Sequence, residues 1–595
     1  MVPQRSEHQE VRLHGIGVSS GIVIGRAFVL YGDLIKVERR ILRKDQVEAE
    51  VEKLVRAIER TREELQVFRT ETAQRLGEKD AQIFDVHQML LQDEMVLSEI
   101  IHRIRSERVN ADHVITEILS KYEASFDGAE DEYFRARAAD LRDIKQRVIR
   151  HIQGKEETGL AQISEPVVLI ARDLSPSDTI NLDRSKVLGF VTELGSRTSH
   201  AAILARSLKV PSIVGLVDVC HQVFSNDPVI LDGRNGVLII NPSSETLTLF
   251  KRMQRGFTRV ESNLARVKKL AARTKDGKDI ALSANIEFFE EIGTALDYGA
   301  HGVGLYRTEY LYMTRSELPS EEEQVQEYSR IIRAMNGAPV TIRTFDIGGD
   351  KAQRFFSIPP EANPFLGFRG VRLYEHNEIV FLTQLRAILR ASVHGPVRIM
   401  FPMIACVEEM RHCKSVLVKA GEQLQREGLA FCADIPVGAM IEVPSAAVTA
   451  DLIAQESDFL SIGTNDLIQY TLAVDRGNKF VAYLYRNFDP AVLRLIREII
   501  QKGHEQCVWV GMCGEMASDP FATMVLIGLG LDEFSVSPVS LLMIKDIIRR
   551  VEYPECENLA NAALNFDAAV GVENYLLDVM NRKFKDLLVC DAGIA

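Results

Sequence analysis

One histidine stands in a short motif that is suited to carry an anion. In GSRTSHAAILAR (195–206), Ser199 is a typical N-cap residue, and residues 201–206 are good helix formers. His200 would therefore lie in the first turn of a helix. Unpaired backbone N–H groups and the positive end of the helix dipole favour a negative group at that position. The motif indicates a phosphoryl-carrying histidine, while a structural histidine among alanine and leucine neighbours is the competing interpretation.

A second group of reactive side chains follows apolar runs in the second half of the chain. The eight runs are IALSANIE (280), GVGLYRTEYL (302), PVTIRTFDIGG (339), VRIMFPMI (397), VGAMIEVP (437), FLSIGTND (459), VWVGMCGE (508) and LDEFSVSP (531). Most of them are separated by stretches long enough for a helix. Eight alternations of strand and helix predict a (β/α)₈ TIM barrel.

The polar residues fall at the ends of these predicted strands, where a barrel carries its active site. They are Arg307, Glu309, Arg343, Asp346, Glu442, Asn465, Asp466, Cys513 and Glu515. A structural salt bridge could explain any one of them. For the whole set, burial at one barrel mouth is costly unless a ligand or a metal pairs the charges.

The residue types at these ends indicate a phosphorylated carboxylic acid and a divalent cation. Arg307 and Arg343, joined by Arg476 and by Arg369 in ENPFLGFRG, would clamp a polyanion. Glu442 and Asp466 on neighbouring predicted strands would offer two hard oxygen ligands to Mg²⁺.

Cys513 lies between two glycines in GMCGE. Buried cysteines are usually inert, but the position at a strand end favours a thiol of near-neutral pKa that acts as an acid or base on carbon.

The elements that must position these residues divide the chain into several predicted parts. Residues 36–152 have almost no Pro or Gly and show helical periodicity, with Val47, Val51, Leu54 and Ile58 on one stripe. Short β-branched runs (PVVLIA, KVLGFVT, VPSIVG, PVILDG) predict a small α/β domain over residues 153–243, which the strand-like opening at 15–30 would join. The sequence therefore predicts a multidomain α/β protein whose α/β domain (1–35 and 153–243) carries an inserted helical bundle, followed by a helical linker (244–272) and the barrel (273–585).

Composition narrows the partners and the compartment. The 595 residues carry 71 Lys and Arg against 84 Asp and Glu, a net charge of −13, which disfavours nucleic acid and anionic membranes as partners. No run is apolar and long enough to span a membrane, and the opening residues lack a signal core. Eight cysteines without a C-x-x-C pair fit a reducing compartment and no structural zinc. We expect a cytoplasmic protein without membrane insertion.

Eight motifs together resemble the signature blocks of enzyme I of the bacterial phosphoenolpyruvate-dependent sugar phosphotransferase system. They are GSRTSHAAILARSLKVPSIVG, GVGLYRTEYLYM, RTFDIGGDK, ENPFLGFRG, GAMIEVPSA, SIGTNDLIQYTLAVDRGN, GMCGEMA and GLDEFSVS. The blocks are in order and extend over nearly the whole chain. Two departures are Ser196, where the family usually has glycine, and the tail after about Arg550, which matches no block and reads as helices covering one end of the barrel.

The resemblance implies a role for each matching residue. His200 would be phosphorylated on Nε2 by phosphoenolpyruvate and would pass the group to the histidine phosphocarrier protein HPr. Arg307, Arg343, Asn465 and Arg476 would bind phosphoenolpyruvate, Glu442 and Asp466 would hold Mg²⁺, and Cys513 would protonate C3 of the enolate as pyruvate forms. The helical insertion would dock HPr, with segments that include AQIFDVHQMLLQDE (81–94) and DEYFRARAADLRDI (131–144). The α/β domain would swivel, and the barrel would form a homodimer.

Two alternatives remain open at this point. Pyruvate phosphate dikinase and phosphoenolpyruvate synthase are similar in the histidine domain and barrel, but they need a nucleotide-binding domain, and no glycine-rich phosphate loop precedes residue 165. A regulatory protein that signals through its phosphorylation state is the other alternative. The intact set of reactive residues argues against lost catalysis but leaves the downstream pathway open.

Overall fold

A computed structural model describes most of the chain. The described residues are 10–19, 21–30, 37, 39–75, 88, 91, 94–127, 141, 144–145, 147–154, 163, 165–174, 186–195, 202, 205, 210–313, 317–348, 355–356, 361–478 and 480–588. The chain divides into two compact units, Met1–Phe257 and Thr258–Ala595. Both units contain buried apolar clusters of their own, as expected for a chain of this length.

The first unit contains an eight-stranded mixed sheet. Its strands are β1 (Val11–His14), β2 (Ile16–Ser19), β3 (Ile22–Leu30), β4 (Val167–Ala171), β5 (Val187–Thr192), β6 (Ser212–Val214), β7 (Pro228–Asp232) and β8 (Val237–Ile240). Their order in the sheet is β1-β8-β7-β3-β4-β5-β6-β2. The strands β3 to β6 are parallel to one another, while β1, β8, β7 and β2 pair antiparallel with their neighbours. The N-terminal strands therefore pair with strands from beyond residue 165.

Two of these strands, β1 and β8, lie outside the predicted runs. β8 follows a glycine-containing turn after β7 and pairs with it as a hairpin. Gly236 in that turn has a φ of +66°, and its Cα lies against the backbone of Gly15 and Gly17, where a side chain would not fit. A short apolar run after such a turn is a hairpin signal, so β8 was predictable. The alternating sequence of β1 gives a weaker signal.

Helices occupy the described part of the region between β3 and β4. They cover Val47–Arg75, Glu94–Glu107 and Ala111–Asp127, and residues 147–153 are also helical. Val47, Val51 and Leu54 are buried in one core with residues of the other helices, and Ile58 packs against it. The helical stripe that the sequence predicted is therefore the packed face of the first helix. Helix Val219–Gln222 follows β6, and helix Ser244–Leu264 follows β8 and contains the boundary between the two units.

The second unit is built on a closed parallel barrel. Its strands are β9 (Ala281–Ile286), β10 (Val303–Arg307), β11 (Val340–Arg343), β12 (Val397–Phe401), β13 (Val437–Ile441), β14 (Phe459–Ile462), β15 (Trp509–Met512) and β16 (Glu533–Val536). Each strand pairs in parallel with the next, and β16 closes the barrel on β9. All eight predicted strands are present, and the predicted (β/α)₈ fold is confirmed.

Helices connect and surround these strands. In the described part of this unit they are Glu291–Asp297, Tyr310–Met313, Glu321–Ala334, Val371–Tyr374, Glu378–Ala391, Val407–Glu427, Pro444–Val448, Ala450–Ala454, Thr464–Leu472, Pro490–Glu505, Pro520–Gly528 and Leu541–Arg550. Their apolar faces form one large buried cluster with the outward side chains of the strands.

Side chains that point into the barrel form a separate, smaller cluster. It consists of Leu305, Met400, Met440, Phe459 and Cys513, with Trp509 packed against it. Near the starts of the strands, the Trp509 ring stacks on Phe459 with centroids 4.9 Å apart, and the Arg398 guanidinium lies 4.8 Å from the Trp509 centroid. The N-terminal end of the barrel interior is thus filled, which leaves the opposite end for chemistry.

The tail after Arg550 consists of helices Tyr553–Ala563, Ala569–Lys583 and Lys585–Leu588. The Tyr553 N–H donates to Asp276 Oδ1 over 3.0 Å, and Lys278 Nζ lies 3.6 Å from the Tyr553 ring centroid. Because residues 276 and 278 precede β9, these contacts place the start of the tail at the N-terminal end of the barrel. Among the described residues, no helix has both the length and the apolar character that crossing a bilayer requires.

Candidate active site

Two arginines stand side by side where adjacent barrel strands end. Arg307 is the last residue of β10 and Arg343 the last of β11, and the two are register partners in the ladder. In the part of the chain that the structure describes, Arg307 forms no ion pair, and the Arg343 Nε is buried without a hydrogen-bond partner. Donors left over at a barrel mouth suit an anionic ligand that can accept from both guanidinium groups.

Arg343 is also paired with carboxylates of the protein. Its Nη2 donates to Glu309 Oε1 over 3.0 Å, and its Nη1 lies 3.6 Å from Asp346 Oδ2. Burial alone lowers the pKa of Arg343, but Glu309 and Asp346 outweigh that effect and raise it above its usual value. The sequence argument that a ligand or metal must pair these charges is therefore only partly right, because the protein pairs some of them itself.

Arg369 joins this cluster from the loop after β11. Its Nε and Nη2 donate to Asp346 over 3.2 and 2.7 Å, and its Nη1 and Nη2 lie 3.4 Å from the two oxygens of Asp466. Burial raises the pKa of Asp346, but Arg369 and Arg343 outweigh it and hold that pKa below its ordinary value. Arg369 is thus a full member of the site.

The two carboxylates expected to hold a metal come close to each other. Glu442 directly follows β13, whereas Asp466 lies in the first turn of helix Thr464–Leu472 and not on the strand that the sequence predicted. Burial raises the pKa of Glu442 to about 8, with further contributions from Asp466 and Asp346. Glu442 Oε1 accepts from the Met403 N–H over 2.7 Å. The negative charges of Asp466 and Asp346 raise the pKa of Glu442 because like charges repel. A divalent cation bound by Glu442 and Asp466 would relieve that repulsion.

These two carboxylates fit Mg²⁺ as part of a site that a substrate completes. Within the described residues, no group of three or more His, Cys, Asp or Glu side chains is arranged to hold a metal. Mg²⁺ is commonly held by one or two carboxylates together with substrate oxygens and water, which is what Glu442 and Asp466 can offer.

Cys513 lies immediately after β15 and points into the barrel. Its side chain is 2% exposed, and its backbone carbonyl accepts from Asn285 Nδ2 over 3.0 Å. Burial raises the pKa of the Cys513 thiol to about 11, although a hydrogen bond from Ser461 opposes the shift. The expectation of a near-neutral pKa is therefore wrong: the thiol is protonated at pH 7, which suits a proton donor and not a base.

Asn465 and Arg476 lie on the same side of the site, around Tyr485. Asn465 Oδ1 accepts from the Glu515 N–H over 2.8 Å, and its backbone carbonyl accepts from the Tyr485 hydroxyl over 3.3 Å. Burial raises the pKa of Tyr485 to about 12 against the opposing effect of nearby Arg476. The Arg476 side chain is exposed, so it is available to a ligand from solvent.

His200 and its N-cap Ser199 lie outside the described residues, as does Ser196. Of the predicted helix, Ala202 and Ala205 are described, and both are helical and fully buried. Most of the two segments predicted to dock HPr, 81–94 and 131–144, also lie outside the described residues, as does the end of RTFDIGGDK from residue 349.

Two residues that contact the site were not singled out from the sequence. Tyr470 lies one helical turn after Asp466, and its hydroxyl is 3.3 Å from Arg369 Nη1. Asn285, the penultimate residue of β9, lies next to Cys513 and accepts from the Ser535 hydroxyl over 2.6 Å. Helical spacing from Asp466 and the rule of polar residues at strand ends were signals that could have found them.

Three family models match the chain in succession. They are "PEP-utilising enzyme, N-terminal" over residues 14–137, "PEP-utilising enzyme, mobile domain" over 163–236 and "PEP-utilising enzyme, PEP-binding domain" over 261–553. The third model contains the barrel strands and every barrel residue discussed above.

Curated relatives are similar over nearly their whole length. The phosphoenolpyruvate-protein phosphotransferase of Geobacillus stearothermophilus is 45% identical over 96% of this chain and 98% of its own. That of Haemophilus influenzae is 43% identical over 95% of this chain and 98% of its own. A solved structure of an enzyme I protein, determined by NMR, is 36% identical and covers 41% of this chain and 99% of its own, with a TM-score of 0.35. On the identity and coverage of the curated relatives, the chain belongs to the family of phosphoenolpyruvate-protein phosphotransferases.

Proposed function

We propose that this protein transfers the phosphoryl group of phosphoenolpyruvate to its own His200 and then to the histidine of HPr, releasing pyruvate. This is the first step of the phosphotransferase system for sugar uptake. The observation that carries the proposal is the juxtaposition of the Arg307 and Arg343 side chains with Glu442, Asp466 and Cys513 at one end of the barrel. These are the groups that binding a phosphorylated enol acid and protonating its carbon require.

The arginines bind and neutralise the substrate. Arg307 and Arg343 would contact its phosphate and carboxylate oxygens, with Asn465 from the first turn of helix Thr464–Leu472 and Arg476 from the loop after that helix. Glu442 and Asp466 would hold Mg²⁺, which when bound supplies positive charge to the phosphoryl oxygens. Phosphoryl transfer depends mainly on such positioning and charge neutralisation, so the protein needs no further covalent chemistry at this stage.

The reaction then moves one phosphoryl group and one proton. The neutral Nε2 of His200 attacks phosphorus, the bond from phosphorus to the enol oxygen breaks, and the enolate of pyruvate remains. The Cys513 thiol donates its proton to C3 of the enolate, which becomes the methyl group of pyruvate, and the thiolate regains a proton from water. The pKa of about 11 keeps this thiol protonated at neutral pH.

The remaining assignments concern partners and motion. The helical region 36–152 would dock HPr, and the α/β domain would swivel so that His200 reaches both reaction partners, with hinges in the segments flanking 166–241. A crosslink that locks the domains without stopping transfer would contradict this motion. The proposal includes a homodimer formed through the barrel. It also includes cytoplasmic residence, supported by the free state of the seven described cysteines.

The test is phosphorylation by labelled phosphoenolpyruvate. Purified wild-type protein and His200→Ala are incubated with [³²P]phosphoenolpyruvate and Mg²⁺, and acid-labile protein phosphate is followed. We expect label on the wild type alone, and its transfer to HPr without nucleotide. Label that requires ATP would favour a dikinase, and absence of label would favour a regulatory protein, so that either outcome contradicts the proposal.

A further inference from the structure

The Arg369 guanidinium contacts Asp466, a carboxylate that the proposed function assigns to the metal. Its guanidinium lies between Asp346 and Asp466, with side-chain exposures of 11%, 3% and 8% for the three residues. Asp346 receives two hydrogen bonds, of 3.2 and 2.7 Å. Asp466 is contacted at both oxygens, each at 3.4 Å. The two carboxylates therefore share the Arg369 guanidinium, which lies closer to Asp346 than to Asp466.

The contact with Asp466 conflicts with metal binding. A divalent cation and a guanidinium compete for the same carboxylate lone pairs, and both oxygens of Asp466 already face Arg369. Glu442, the other assigned ligand, uses Oε1 to accept from the Met403 N–H. Ionic contacts in a buried site are poorly screened. The Arg369 guanidinium therefore competes with the metal for the negative charge of Asp466.

The backbone around Arg369 is fixed by contacts that do not involve its guanidinium. The Phe368 N–H donates to Glu361 Oε1 over 2.9 Å, and Arg372 Nη1 donates to the carbonyls of Leu366 and Gly367 over 2.9 and 3.0 Å. The Tyr470 hydroxyl donates to the Phe365 carbonyl. These contacts hold the loop in place whether or not the Arg369 guanidinium contacts Asp466.

We propose that Arg369 is an internal counter-ion that covers Asp466 until an anionic substrate draws the guanidinium away. Substrate and divalent cation then bind interdependently, because each is favoured when Arg369 leaves Asp466. By linkage, the substrate tightens metal binding by the same factor by which the metal tightens substrate binding. The inference rests on the proposed function for the assignment of Asp466 and Glu442, and it makes Arg369 a positioning residue for the metal site.

The experiment measures Mn²⁺ binding by electron paramagnetic resonance, which requires no turnover. The full-length protein is titrated with Mn²⁺ alone and with phosphoglycolate, a phosphorylated acid that has no enol to form. For the wild type we expect weak binding of Mn²⁺ alone and binding tighter by about tenfold or more with phosphoglycolate, within the usual range of coupling between sites. Arg369→Gln should bind Mn²⁺ alone about tenfold more tightly than the wild type, and its coupling with phosphoglycolate should fall by the same factor, to the part that shared ligand oxygens supply.

Two further variants test whether the positive charge of Arg369, and not another consequence of the substitution, changes Mn²⁺ binding. Arg369→Lys keeps a positive charge and should keep weak binding of Mn²⁺ alone. Arg411→Gln removes an exposed arginine that pairs with Glu456, in the turn after helix Ala450–Ala454, and it should leave both titrations unchanged. Melting temperatures show that each variant is folded.

The proposal is overturned if Arg369→Gln binds Mn²⁺ as weakly as the wild type, or if Gln and Lys tighten binding equally, which would indicate a loosened loop. Failure of the underlying assignment has a different signature. Asp466→Asn would then bind Mn²⁺ with wild-type affinity, showing that the metal lies elsewhere, whatever the Arg369 variants do.

Discussion

The Cys513 thiol lies at the end of β15, buried among Leu305, Met400 and Met440, and burial raises its pKa to about 11. Its sequence context, two flanking glycines at a strand end, predicted a reactive position but not this protonation state. The difference arises because the apolar side chains around the thiol come from strands that are distant in the sequence. A thiol that is protonated at neutral pH is suited to donate a proton to carbon.

Replacing the Cys513 thiol should slow the chemical step without weakening ligand binding. We expect Cys513→Ala to slow pyruvate formation by about 10²- to 10⁴-fold, the usual contribution of a general acid, while the Kd for phosphoglycolate changes little. Pyruvate is measured in quenched single turnovers and the Kd by calorimetry. The control is Cys432→Ala, which removes an exposed thiol outside the site. Equal losses in rate and affinity would count against the acid role.

The pH dependence of the same step gives a second readout. An acid works while it holds its proton, so activity is retained below its pKa and lost above it. With a raised pKa of about 11, the single-turnover rate of pyruvate formation should not fall between pH 7 and 9 through loss of this proton. A decline centred near 8.5, the value for free cysteine, would show that the bound state lowers the pKa.

The chain segment after β15, which contains Cys513 and Gly514, packs closely on the helix that carries Asp466. Gly514 faces Thr464 at the start of that helix, and an added Cβ would overlap the Thr464 hydroxyl and lie 2.5 Å from its backbone nitrogen. The proposed proton donor, Cys513, and the proposed metal ligand, Asp466, therefore depend on one glycine for their spacing. Because both neighbours are held by the barrel, the contact cannot be relieved by a flexible side chain.

We expect Gly514→Ala to destabilise the protein by about 1–3 kcal/mol and to lower the rate of pyruvate formation, since overpacking displaces the strand end from the helix. Urea unfolding and single-turnover rates are the measurements. The matched control is Gly293→Ala in helix Glu291–Asp297, where a Cβ meets nothing within 4 Å and φ is not positive. That change should stabilise by about 0.5–1 kcal/mol and leave the rate unchanged. A neutral Gly514→Ala would refute the close-packing argument.

Sequence periodicity predicted the elements better than their contacts. The eight barrel strands were predictable because buried parallel strands read as apolar runs, and polar residues such as Arg307 and Arg343 end them. The pairing of Arg369 with Asp346 and Asp466 was not predictable, because it joins residues 23 and 97 positions apart through side-chain geometry. Asp466 was predicted on a strand, but the chain turns at Gly463 and starts a helix at Thr464.

The whole chain consists of two compact units, and the proposed function assigns them different tasks. The second unit holds the arginines, the carboxylates and Cys513, while His200 belongs to the first. Each unit has its own buried clusters, so each can melt as a cooperative body.

Calorimetry of the full-length protein should therefore resolve two transitions, and phosphoglycolate with Mg²⁺ should raise only one of them. A ligand at 100 times its Kd stabilises the body that binds it by about 2.7 kcal/mol. The isolated fragment 258–595 identifies the barrel transition and serves as the reference. A single transition, or equal shifts of both, would contradict independent melting of the units.

The stacked ring of Trp509 has an optical consequence. It is the single tryptophan of the 595 residues, and it lies in the barrel interior between Phe459 and the Arg398 guanidinium, four residues before Cys513. Indole emission excited at the red edge of its absorption, where tyrosine does not absorb, therefore comes from the barrel alone even in the intact protein. Changes in its intensity or wavelength on titration report events inside the barrel, without a label and without a contribution from the unit that holds His200.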